Sequence, residues 1–147
     1  MRNVHKVEHV TWTIEDHPNK EKCFDWIREN WHDLGQFEVD EFVECFKALA
    51  KHLQTTFDYS VCITDDRGEF LKLGEFDRSL LDDLKADDCP LTGMHYDHDF
   101  INAVKNDELE SALNSLHLQG EYLYSDEGLQ DMCEANEYEF LENGKLY

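Results

Sequence analysis

The run His95-Tyr96-Asp97-His98-Asp99 is the densest group of potential metal ligands in the chain. Imidazole and carboxylate suit zinc or iron, so this run could supply part of a coordination sphere. On a helix, His95 and Asp99 stand four residues apart and share a face. A closed site needs further ligands, and no H-E-x-x-H or comparable motif provides them. The same residues also make a good helix start, because Asp97 and Asp99 favour the positive end of the macrodipole. A small metal-dependent enzyme centred on His95–Asp99 therefore stands as an alternative, and no cofactor is expected.

Other catalytic chemistry is poorly represented. His9, His17, His32 and His52 are dispersed, and no Ser or Cys sits in a nucleophile elbow. No G-x-G-x-x-G, Walker A or kinase signature occurs. Five cysteines, Cys23, Cys45, Cys62, Cys89 and Cys133, show no C-x-x-C spacing, which argues against a zinc ribbon or a redox motif. Cys23, Cys45 and Cys133 lie beside apolar helical positions and are expected in the core. The expectation is a protein that binds rather than one that catalyses.

What could do the binding is carboxylate. Thirty-four Asp and Glu stand against thirteen Lys and Arg, a formal charge of −21. The excess is uneven: residues 1–75 carry 16 acids and 9 bases, whereas 76–147 carry 18 acids and 4 bases. Nucleic acid and anionic membranes are recognised through basic footprints, so neither is an expected partner. Asp82, Asp83, Asp87 and Asp88 stand close together, and Glu121, Asp126, Glu127, Asp131 and Glu134 follow along two helical stretches. Carboxylates three or four apart on a helix lie ~5–6 Å from one another. Such a row can meet Arg and Lys much as a phosphate backbone does. Tyr122 and Tyr124, set among these acids, would anchor an interface, as tyrosines often do. The competing explanation is a solvated face that only keeps the protein soluble.

The elements that must position these groups can be read from periodicity. Val7, Val10, Trp12 and Ile14 predict a first strand. Asn19 caps a helix to about Trp31, with Cys23, Phe24, Ile27 and Trp31 inward. Apolar positions from Val39 through Phe42, Phe46, Leu49 and Leu53 to Phe57 predict a long amphipathic helix. Strands Tyr59–Thr64 and Glu69–Leu73 are joined at Asp65-Asp66-Arg67-Gly68, a hairpin signal. Short helices are expected near Asp77–Leu84 and Asp97–Lys105. A longer one begins at Asp107 and carries Leu109, Ala112, Leu113, Leu116 and Leu123. Ser125 caps a last helix over Glu127–Ala135, and Asn143-Gly144 predicts a C-terminal β-hairpin. The fold class is α+β, a small antiparallel sheet packed against several amphipathic helices.

A length of 147 residues fits a single domain with a real core. A weak boundary could fall near residue 75, where charge density changes. No apolar run approaches the ~20 residues that cross a bilayer, and no apolar stretch follows the first residues as in a signal peptide. A cytoplasmic location is the expectation. Opposed acidic faces would repel, which favours a monomer.

Several segments resemble small bacteriophage and prophage proteins labelled "antitoxin of toxin–antitoxin stability system". They are Phe57-Asp58-Tyr59-Ser60-Val61, Asp66-Arg67-Gly68-Glu69-Phe70, Pro90-Leu91-Thr92-Gly93, Glu121 through Glu127, and Glu134 through Phe140. The resemblance spans roughly residues 57–145, with a weaker echo around Phe24, Trp26 and Ile27. It implies a phage–host conflict and an acidic inhibitor of a basic host protein: a toxin, an RNase, or a defence nuclease blocked by nucleic-acid mimicry, as anti-CRISPR proteins can act. Many antitoxins also bind operator DNA through a basic module, which this chain lacks. A soluble phage accessory protein with no specific target is the third alternative.

Overall fold

The structure is a computed structural model that describes residues 10–31, 33–63 and 68–147. The expectations placed on Val7, His9, His32 and the Asp65-Asp66-Arg67 turn lie outside that range. The architecture is α+β. The chain divides into two compact units, one formed by the segment up to Leu34 with Tyr122–Tyr147, the other by Gly35–Glu121. The charge change near residue 75 therefore falls inside the second unit. No helix among the described residues is long and apolar enough to cross a membrane.

The first unit joins the two ends of the chain. Strand β1 (Trp12–Thr13) pairs antiparallel with the late strand Glu139–Phe140, in the register Trp12↔Phe140 and Thr13↔Glu139. The Asn143-Gly144 hairpin forms as expected: Phe140 bridges to Leu146, and Leu141 N donates to Lys145 O at 2.8 Å. His17 ties the N-terminal segment to this hairpin. Its Nδ1 accepts from Asn19 N at 2.9 Å, which leaves Nε2 as the donor to Leu141 O at 2.7 Å. Helix α1 (Lys20–Asn30) is capped by the Asn19 side chain, which accepts from Lys22 N. Its inner stripe Cys23, Phe24 and Ile27 meets Ile14, Leu129, Cys133 and Phe140 in one core. Each large side chain buried here contributes about 1.5–3 kcal/mol.

The second unit is built on helix α2 (Gln36–His52). Its stripe Phe42, Phe46 and Leu49 is fully buried. Phe46 stacks on Phe100 with centroids 5.4 Å apart, and Phe42 lies 4.6 Å from the same ring. The helical periodicity runs through Phe57, yet α2 stops at His52. Gln54 turns the chain at φ 55°, with Thr55 N donating to Ala50 O, and Phe57 opens strand β2 (Phe57–Ser60). From that strand its ring still reaches Phe46, at 5.9 Å. Strand β3 (Phe70–Leu73) pairs antiparallel with β2. Among the described residues the small antiparallel sheet takes the form of two two-stranded pairs, β1–β4 and β2–β3.

The expected helix at Asp77–Leu84 is a single 3₁₀ turn, Arg78–Leu81, capped by Asp77, and a second turn spans Ala86–Asp88. Helix α3 (Tyr96–Lys105) follows. Asp107 does not begin the next helix; it closes α3 in the left-handed region, at φ 57°. A 3₁₀ turn over Leu109–Ala112 then leads into α4 (Leu113–Tyr124). Ser125 Oγ accepts from Gly128 N at 3.0 Å and starts α5 (Asp126–Ala135), as its sequence predicts. The strand Glu139–Phe140 is β4.

Candidate functional site

Helix α5 places its acids by spacing alone. Leu129 and Cys133 point into the core, so Glu127, Asp131 and Glu134 share the exposed face. Tyr122, 42% exposed, donates its hydroxyl to Asp131, and this bond to a carboxylate raises the phenol above its ordinary pKa. Gln130 Nε2 donates to Glu134 Oε1 at 2.6 Å. Asp126 is differently placed: Arg28 Nη2 meets its Oδ1 at 2.6 Å, and Arg28 Nε donates to Tyr124 O at 2.9 Å. Asp126 is therefore paired within its own chain, by an arginine that also faces Glu21 and Asp25. Tyr124 is half-buried rather than displayed.

Beside α5 lies a concavity of about 440 Å³. Glu15, Glu134, Glu137 and Glu139 line it, with Thr13, Ile14 and Cys133, and among the described residues no Lys or Arg does. Three elements bring these carboxylates together. Glu134 comes from the last turn of α5, Glu139 from β4, and Glu15 from the residues just after β1. Glu137 sits in the left-handed region at φ 54°, in the loop that ends α5. Thr11 Oγ1 donates to Glu139 Oε1 at 3.0 Å. The chain from Asn106 to Gly144 contains eleven acids and no Lys or Arg. The pocket opens onto part of that stretch.

Of this group, sequence reasoning names only Glu134. Glu15 and Glu139 meet through pairing of residues more than 120 positions apart, which no local spacing reveals. Glu137 carries one local signal, a position just past a helix end in a run of acids.

In the other unit the five expected acids are all exposed, and three of them have a basic or imidazole group nearby. Asp83 lies 3.6 Å from His52 Nε2, and Asp87 lies 3.3 Å from His98 Nε2. Asp82 shares a pocket with both Arg78 and Lys105. Asp88 and Glu121 are exposed. The eleven residues of the expected interface are thus divided between two units. Asp82, Asp83, Asp87, Asp88 and Glu121 lie in one. Tyr122, Tyr124, Asp126, Glu127, Asp131 and Glu134 lie in the other.

The His95–Asp99 run separates in space and role. Asp97 is fully buried. Its Oδ2 accepts from the amides of Leu91 (3.0 Å), Thr92 (2.6 Å) and Gly93 (3.0 Å), and its Oδ1 from Thr92 Oγ1 (2.8 Å). Those four donors occupy the carboxylate and leave it a loop clamp. His95 lays its ring on Tyr96, with centroids 4.0 Å apart. His98 faces Asp87 and Asp99 at the surface. Among the described residues no three His, Cys, Asp or Glu are arranged to hold a metal ion. No protein-family model, characterised protein or solved structure compared with the chain matches it.

Proposed function

We propose that the protein works by binding a basic protein, and that the acid-lined concavity beside α5 is its principal contact. One observation carries this reading: four glutamates line a hollow of about 440 Å³, and among the described residues that line it there is no Lys or Arg. A hollow of that size accommodates an arginine or lysine side chain. The row Glu127, Asp131 and Glu134 extends the negative surface along α5. Charges arranged in this way speed association with an oppositely charged partner and make it salt-sensitive.

The partner that fits best is a nucleic-acid-binding protein, because its cleft is already built to accept evenly spaced negative charge. The resemblance to antitoxin-labelled phage proteins favours a host toxin, RNase or defence nuclease, met in the host cytoplasm. Carboxylates would there take the place of phosphates. A metal-dependent enzyme is the weaker reading, since the buried Asp97 is saturated by its own loop.

The test is capture from host lysate on the immobilised full chain, comparing wild type with the double variant Glu134→Lys, Glu137→Lys at low and high salt. Basic nucleic-acid-binding proteins should be retained by the wild type at low salt only, and lost with the variant. Equal recovery on both, or recovery indifferent to salt, overturns the proposal.

A further inference from the structure

Strand β2 has one edge bonded to β3 and, among the described residues, no strand on the other. The ladder fixes which backbone groups face outward. Gly74 N donates to Thr56 O at 2.8 Å, so Thr56 and Gly74 form a hydrogen-bonded pair one step beyond Phe57↔Leu73. By the alternation of an antiparallel ladder, Asp58 and Ser60 also bond across to β3. The N–H and C=O groups of Phe57, Tyr59 and Val61 then turn to the outer edge. Asp58 Oδ1 accepts from Tyr59 N at 2.9 Å, a local cover for one of these donors.

A groove of about 490 Å³ runs between this strand and α2. Val39, Val43, Tyr59 and Val61 give it an apolar lining, and no β3 residue contributes, which places it on the unpaired side of β2. Asp40 and Glu44 line it as well, and Lys47, the one cation among the described residues that line it, already lies 3.9 Å from Glu44.

We propose that this groove binds an extended segment of a partner protein by strand addition to β2. On the face that meets α2, every second residue along the strand, the segment carries both apolar side chains for the Val39–Val43–Tyr59–Val61 lining and Lys or Arg for Asp40 and Glu44. An unpaired edge offers hydrogen bonds that only an extended backbone can match in series. The acidic side of the groove selects basic over acidic segments, and the formal charge of −21 weighs against a second copy of the same chain. The site is separate from the glutamates beside α5 and does not depend on them.

The experiment titrates the full chain with a capped synthetic peptide, Lys-Thr-Val-Thr-Lys-Thr-Val, whose Lys and Val share one face of the strand, and with the same peptide N-methylated at alternate residues. N-methylation keeps the charge and removes ladder donors. The unmodified peptide should bind, and the methylated one should bind at least about tenfold more weakly, as loss of ladder hydrogen bonds requires. Asp40→Lys with Glu44→Lys should weaken binding to a similar degree. Glu134→Lys with Glu137→Lys should leave it unchanged. Equal binding of the two peptides overturns the proposal, and so does no binding of either. Loss of binding with the α5 variant also overturns it, because the peptide would then be using the other site. The peptide comparison needs no variant to fold.

Discussion

Tyr138 N donates to Cys133 O at 3.1 Å across the end of α5, while Glu137 N donates to Glu134 O at 3.2 Å. This pair of bonds is a Schellman closure, and it forces the residue between, Glu137, into the left-handed region at φ 54°. Glycine is the usual occupant there, because a side chain in this conformation costs about 1–2 kcal/mol. A glutamate at this position spends stability to hold a carboxylate on the rim of the acidic hollow.

Glu137→Gly should therefore raise the stability of the chain by about 1 kcal/mol, measured by urea denaturation. The same variant should weaken capture of a basic partner. If stability falls instead, the strain argument is wrong, whatever the binding shows.

Asp97 and His98 are neighbours with opposite expected sensitivities. Removing the buried Asp97 carboxylate strips acceptors from three backbone amides and one hydroxyl in the loop before α3. Asp97→Ala should cost about 3 kcal/mol or more, since buried charged acceptors are expensive to lose. His98 is half-exposed and its carboxylate partners are at the surface, so His98→Ala should change stability by no more than about 0.5 kcal/mol. Denaturation of both variants, with metal analysis of the wild type, checks this. Bound metal lost with His98→Ala would restore the metal-enzyme reading.

The burial of the cysteines was largely legible from helical spacing, and it leads to a reactivity pattern. Cys23, Cys45 and Cys133 are buried, Cys89 is partly covered, and Cys62 is exposed. Burial pushes the thiols of Cys23 and Cys133 up to about 11 and that of Cys45 to about 12, from an ordinary 9.0. A thiol reagent at neutral pH should modify Cys62 first and Cys89 next. The other three should react only on unfolding. The pH dependence has a definite sign. Below pH 9.0 these thiols are protonated in both states and their contribution is intact. As pH rises toward 11–12 the unfolded chain ionises first, so stability falls. Rapid labelling of all five at neutral pH would contradict the packing of both cores.

Local signals served the sequence well where one element decides the outcome. Asn19 and Ser125 cap the helices their types predict, and Asn143-Gly144 turns the C-terminal hairpin. Helix ends were harder to see. Gln54, Asp107 and Glu137 all stop helices in the left-handed region without a glycine to announce it. Phe57 fits the period of α2 and yet belongs to β2, because a strand can bring its ring to Phe46 as well as a further helical turn could. The acidic half was visible as composition, but its hollow was not. Glu15 and Glu139 become neighbours only when the two ends of the chain pair.

Gly128 gives a last case in which helix propensity and packing point in opposite directions. It lies inside α5 and is buried, and propensity alone says alanine there should gain about 1 kcal/mol. A Cβ on Gly128 would stand 1.8 Å from Tyr122 O and 3.2 Å from Leu123 Cα. Both contacts are backbone, so neither can rotate away. Relief would require moving the α4–α5 junction, where Ser125 Oγ accepts from Gly128 N and donates to Tyr122 O. Overlap of this kind outweighs the propensity gain, and Gly128→Ala should destabilise the chain by about 1–3 kcal/mol or more. It should also disturb the Tyr122–Asp131 bond, because Tyr122 is the residue displaced. Urea denaturation reads the first effect and the tyrosine ultraviolet titration the second. A neutral or stabilising Gly128→Ala would mean that Gly128 and Tyr122 do not approach as closely as the turn between them requires.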